Sequence, residues 1–128
     1  MTAIPKIAPE LAAHIVDPVV YGNWRALLDT FATLRRESPV AVAEIPGYRP
    51  FWVITRHADI LKISKDNATF LNNPATVVVA PLMAEMFVAH LMKGSPHLVK
   101  SLVQMDAPEH PKYRRLTQDW FMPEIGRA

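Results

Sequence analysis

The stretch Met105-Asp106-Ala107-Pro108-Glu109-His110-Pro111-Lys112-Tyr113-Arg114-Arg115-Leu116, running on through Trp120, Phe121, Met122 and Pro123, decides how this chain is read. Asp106 and Glu109 stand at the spacing of a capping box, in which side chains satisfy free N–H groups at a helix start. Pro108 suits a first turn, where its missing N–H costs little. On a helix, at about 100° per residue, the following side chains separate into three faces. Tyr113, Leu116 and Trp120 make an apolar stripe. His110, Arg114, Thr117 and Phe121 make the stripe beside it, and Lys112, Arg115 and Asp119 fall opposite. Two nitrogen-rich donors beside an apolar edge suit an anion held at the margin of an apolar pocket. The plainer reading is an amphipathic surface helix with ordinary capping.

The totals narrow the class. A length of 128 residues is that of one ordinary domain, and half apolar with a fifth charged is a globular composition. The net charge of +2 is too small to imply a polyanionic partner. Lys112, Arg114 and Arg115 do not share one face and no wider basic tract surrounds them, so no nucleic-acid surface is expected. The N-terminus lacks the continuous apolar core of a signal peptide. The most apolar window, 75–92, is interrupted by Pro81, Glu85 and His90, so no membrane span is expected and the cytoplasm is the default location. There is no Cys, which excludes disulfides and thiolate metal sites within these residues. His14, His57, His90 and His97 show no metal-ligand spacing, so no metal site is expected.

Upstream, residues 1–22 carry Pro5, Pro9 and Pro18 and read as an extended segment with at most a short helical turn near Pro9. From Asn23, a capping residue, the apolar side chains Trp24, Leu27, Leu28, Phe31 and Leu34 recur at helical spacing until Pro39. Residues 40–45 and 51–55 read as two strands joined by Pro46-Gly47-Tyr48-Arg49-Pro50, a hairpin with Trp52 packed. Thr55 can cap a short helix over 56–64, with Ile60, Leu61 and Ile63 inward. Asp66-Asn67-Ala68-Thr69 is a turn, and Asn72-Asn73-Pro74 closes that unit. Over 75–104 the chain is rich in Val, Leu and Met and is broken at Gly94-Ser95-Pro96. The fold class is mainly α with a small β-sheet (α+β).

The run from Asp106 to Leu116, followed by Phe121-Met122-Pro123, resembles the third long helix of bacterial cytochromes P-450. Leu34-Arg35-Arg36-Glu37-Ser38-Pro39-Val40 and Trp52-Val53-Ile54-Thr55-Arg56-His57-Ala58-Asp59-Ile60 are similar to matching stretches of that family, in the same order. The similarity covers roughly 24–123. Gly94-Ser95-Pro96-His97, with Ser101-Leu102 before the Asp-Ala-Pro run, resembles the terpene-alcohol-hydroxylating branch. The resemblance divides one domain into an N-terminal segment (1–22), a helix–hairpin–helix unit (23–74), a substrate-covering region (75–104) and a haem-propionate helix (105–128).

What the resemblance implies is a soluble haem-thiolate monooxygenase. His110 and Arg114 would bind the haem b propionates and would not be catalytic. Met83, Met86 and Phe87 would line the pocket of a small apolar, terpenoid-like substrate, a use that suits adaptable Met side chains. Lys112 and Arg115 would meet a ferredoxin-type redox partner, or form an ordinary solvated face. The family needs a Cys thiolate on the iron. With no Cys in the chain, the expectation is an N-terminal portion of such an enzyme, inactive and marginally stable by itself. The alternative is a self-contained α+β binding or interaction module without enzymatic activity.

Overall fold

Prolines open the first two helices. The computed structural model describes residues 4–72, 79–118 and 120. Pro9 begins helix α1 (Pro9–Val16) and Pro18 begins helix α2 (Pro18–Gly22). Pro is favoured at a first helical position because its fixed φ suits the helix and its missing N–H would be unpaired anyway. Asp17 lies between the two helices, and its Oδ1 accepts the Val19 N–H at 2.8 Å. The expected extended segment over 1–22 is thereby corrected: two of the prolines that suggested interruption mark helix starts.

Helix α3 (Trp24–Glu37) forms where the periodicity places it, with the Asn23 Oδ1 accepting the Ala26 N–H at 3.2 Å. Its buried face is narrower than expected. Leu27, Thr30 and Leu34 are buried, whereas Trp24 and Leu28 are exposed. Thr30 is accommodated because its hydroxyl donates to the Ala26 carbonyl at 2.9 Å and meets His14 Nδ1 at 3.1 Å. A buried hydroxyl with both partners in place carries no desolvation penalty of an orphaned group.

Strands β1 (Val40–Ala43) and β2 (Phe51–Ile54) pair antiparallel, with Ala41 opposite Val53 and Val42 opposite Trp52. The turn between them uses Gly47 at φ +81°, a conformation that costs a residue with a Cβ far more than glycine. Ala41, Ala43 and Val53 point inward and are buried. The two-residue period of a strand then sends Trp52 to the other face, where it is 56% exposed rather than packed as expected. The other side of β1 is bonded to the N-terminal segment. Ile7 N–H donates to the Val42 carbonyl and Val42 N–H to the Pro5 carbonyl, both at 3.0 Å. Ile7, Ala12, Leu34, Ala41, Ala43 and Val53 form the core, with Leu11, Ile15, Phe31, Ile45 and Phe51 packed around it.

Helix α4 (His57–Lys65) follows β2. Thr55 does not cap it; the Thr55 hydroxyl donates instead to the Pro39 carbonyl at 3.2 Å, tying the ends of the hairpin together. The expected inward face is also corrected. Ile60 and Leu61 are exposed, and no residue of α4 is buried. The turn at Asp66 is present, its Oδ1 accepting the Thr69 N–H at 3.1 Å. Helix α5 (Leu82–Leu91), a 3-10 turn (Leu102–Gln104) and helix α6 (Glu109–Gln118) complete the described order. The architecture is mainly helical with one small antiparallel sheet, in agreement with the α+β expectation. Asn73 and Pro74, Asp119, and Phe121, Met122 and Pro123 lie outside the described residues.

Candidate functional site

Helical bonding of α6 starts at His110, whose N–H donates to the Asp106 carbonyl at 2.9 Å. Pro111 falls in the first turn, where no partner for its nitrogen is required. The start of this helix is held from two sides. The Asp106 carboxylate accepts the Asn72 backbone N–H at 2.9 Å and the Asn72 Nδ2 at 3.2 Å, joining α6 to the loop after α4. Glu109 accepts from Lys100 Nζ at 2.5 Å, joining α6 to the segment after α5. That hydrogen bond, with the nearby Glu109 charge adding to it, holds the Lys100 amine above its ordinary value of 10.5.

A cavity of about 190 Å³ opens at this junction, lined by His110, Pro111, Asp106, Leu102, Val103 and Met105 among others. His110 is half-buried in its wall, and Arg114 follows one turn later on the same face, exposed. Arg114 has no ion-pair partner among the described residues. His110 and Arg114 are therefore about 6 Å apart along the helix axis, with His110 in the wall of a partly apolar cavity and Arg114 beyond its lining. This donor set can bind a carboxylate or a pair of them by charge-assisted hydrogen bonds.

The neighbouring expectations divide. Tyr113, Leu116 and Trp120, the apolar stripe, are exposed at 43%, 73% and 76%. Lys112 and Arg115 are also exposed, and Arg115 Nε donates to the Pro111 carbonyl of its own helix at 3.3 Å. Met83, Met86 and Phe87 share one side of α5 and are 77%, 58% and 63% exposed. They are brought together with one another, but none lines the cavity beside His110.

A second polar cluster was not expected. Ser101 and Gln104 form the capping box of the 3-10 turn, with Gln104 Oε1 accepting from the Ser101 N–H at 3.1 Å. The Gln104 amide nitrogen then meets His97 Nδ1 at 3.0 Å, so Nδ1 is the acceptor and the ring proton sits on Nε2. His97 Nε2 is buried without a partner among the described residues. The Ser-x-x-Gln spacing was a readable signal for the turn; the contact with His97 was not. Among the described residues no group of three or more acidic or imidazole side chains could hold a metal, and no helix is long and apolar enough to cross a membrane.

No family model matches the chain. It is 36% identical over 123 residues to "Cytochrome P450-terp" of a Pseudomonas species, a match that covers 96% of this chain and 29% of that protein. The crystal structure of CYP108D1 from Novosphingobium aromaticivorans superposes with a TM-score of 0.91 at 52% identity, over 94% of this chain and 30% of that one. The chain has the fold of the N-terminal part of a cytochrome P-450. It is also 27% identical over 111 residues to a steroid C26-monooxygenase of Mycolicibacterium smegmatis, covering 80% of this chain and 25% of that protein. The chain thus spans about 25–30% of the length of these cytochrome P-450 relatives. These relatives bind haem, and the thiolate that family members place on the iron has no counterpart among the 128 residues here.

Proposed function

We propose that the chain supplies the haem-propionate side of a haem-thiolate monooxygenase. The observation that carries this reading is half-buried His110 in the cavity wall with exposed Arg114, which has no ion-pair partner among the described residues, one turn further along the same face of α6. The donor set suits the carboxylates of haem b: His110 and Arg114 would supply nitrogen donors from one face of α6, and Leu102, Val103 and Met105 line the cavity beside His110. When bound, the haem supplies an iron centre that activates dioxygen for insertion of one oxygen atom into a C–H bond. His110 and Arg114 neutralise the propionates and orient the ring, each bond contributing about 1.5–3 kcal/mol. Asp106, through Asn72, keeps the start of α6 in place while they do so.

The finer parts of the reading belong to the intact enzyme. Met83, Met86 and Phe87 form an apolar wall for a small substrate, and the likeness to "Cytochrome P450-terp" favours a terpenoid. Lys112 and Arg115 present positive charge suited to an acidic ferredoxin-type donor. The location is cytoplasmic.

Two measurements test the proposal. Coding DNA read onward from the Ala128 codon is expected to continue into a Phe-Gly-rich loop with one Cys; a frame with no downstream Cys overturns the monooxygenase reading. In the full-length product, R114A is expected to weaken haem retention about 10- to 150-fold, with H110A in the same direction. Unchanged haem dissociation in both variants removes these two residues from the site.

A further inference from the structure

Helix α5 buries none of its residues. Among the described residues, two polar links tie it to the rest of the chain, and both run to the β1–β2 turn. The Leu82 N–H donates to the Gly47 carbonyl at 2.7 Å. Arg49 Nε donates to Glu85 Oε2 at 2.6 Å. The ion pair is asymmetric: the Arg49 side chain is 70% exposed, but that of Glu85 only 20%. A carboxylate covered to that extent needs its cation more than a fully solvated one does. At its other end α5 stops cleanly, with Lys93 and Gly94 both at positive φ and the Gly94 N–H closing back on the Ala89 carbonyl at 2.7 Å. Helix α5 is therefore an internally complete helix attached at its first turn.

We propose that Arg49 and Glu85, together with the Gly47 carbonyl, form a clasp through which the hairpin turn positions α5. The two bonds act at different levels. Gly47, held in the left-handed region, aims its carbonyl at an otherwise unpaired N–H of the first helical turn and sets the height of the helix. Arg49, reaching from the same turn, grips Glu85 one turn further on and sets the rotation about the helix axis. Met83, Met86 and Phe87 lie on the side of α5 away from Glu85, so that rotation determines the direction in which this apolar face is presented. Arg49 and Glu85 are positioning residues, and the clasp is sensitive to ionic strength because its cation is solvated. The pair is separated by 36 positions in sequence, which is why no local pattern announces it.

Amide hydrogen exchange on the full-length product, read over 82–91, tests the clasp without reference to haem. R49A and E85Q are each expected to raise exchange over 82–91 about fivefold, while the hairpin amides over 40–54 keep their protection. R49E should do the same, and the swapped pair R49E with E85R should restore protection. Raising salt should speed α5 exchange in the native chain and leave that of R49A unchanged. Unchanged exchange over 82–91 in both R49A and E85Q overturns the clasp. So does parallel loss of protection over 40–54, which would mean that the substitutions collapse the turn rather than release the helix. Failure of the haem reading would leave all of these outcomes as they are.

Discussion

Asp106 and Asn72 form a two-point clamp: one carboxylate takes both the backbone N–H, at 2.9 Å, and the side-chain amide, at 3.2 Å, of one asparagine. The residue that precedes the His110 helix is thereby fastened to a loop 34 positions earlier. N72A removes the side-chain bond and keeps the backbone one. It is expected to cost about 0.5–1.5 kcal/mol, whereas D106A strands both donors and should cost about 1–3 kcal/mol. Denaturant unfolding of the two variants checks the order; equal effects would show that the side-chain amide contributes nothing.

The His14–Thr30 contact is the polar link between α1 and α3. Because the Thr30 hydroxyl spends its proton on the Ala26 carbonyl, it must accept from His14, which places a proton on Nδ1. Thr30→Val keeps the shape and removes both bonds, at an expected cost of about 1–3 kcal/mol. Thr30→Ser should cost less. Nitrogen shifts of His14 in the native chain should report the Nδ1–H form.

The Lys100–Glu109 pair predicts an alkaline dependence. The amine is held above 10.5 in the folded chain, first by the hydrogen bond to Glu109, which outweighs the opposing loss of solvation, with the charges of Glu109 and Tyr113 adding to it. A group whose value is raised on folding contributes fully at pH below its unfolded value and loses that contribution as pH climbs through the folded one. Stability of the native chain should thus fall relative to E109Q only above pH 10.5. NMR titration of the Lys100 side chain should show a lower value in E109Q.

The exposed face of α5 allows stability and the proposed substrate contact to be tested apart. Met83 and Phe87 are 77% and 63% exposed, so M83D and F87A should change the stability of this chain by no more than about 0.5 kcal/mol. In the full-length enzyme the same substitutions should weaken binding of an apolar substrate, read from a substrate-induced change in the haem spectrum. A large loss of stability in the isolated chain would mean that α5 packs inward.

Much of the fold was legible locally. The Asn23 cap and the apolar recurrence from Trp24 placed α3 to within a residue, and the Gly47 turn placed the hairpin. Local signals failed where one residue type serves two purposes. Pro9 and Pro18 can break an element or begin one, and only the folded backbone, with Pro at the start of α1 and of α2, shows that they begin one. Trp52 and Val53 are both good strand residues; which of them faced the core depended on the pairing of Val53 with Ala41. Of the candidate site, the spacing of His110 and Arg114 on one helix face was readable because they stand four positions apart. Asn72, Leu102 and Val103, which complete the cavity, were not, since nothing in their own surroundings marks them.

The amino-acid sequence by itself determined helix α3 and the hairpin, the spacing of His110 and Arg114, and the absence of any thiolate ligand in these residues. Those properties follow from short-range periodicity, capping and composition, which act within a few residues. Tertiary structure alone decided that Asp106 meets Asn72, that Arg49 meets Glu85 and that His14 meets Thr30. Each of these contacts joins residues 16 to 36 positions apart. Such contacts form only when the folded backbone fixes distance and direction together, and periodicity encodes neither.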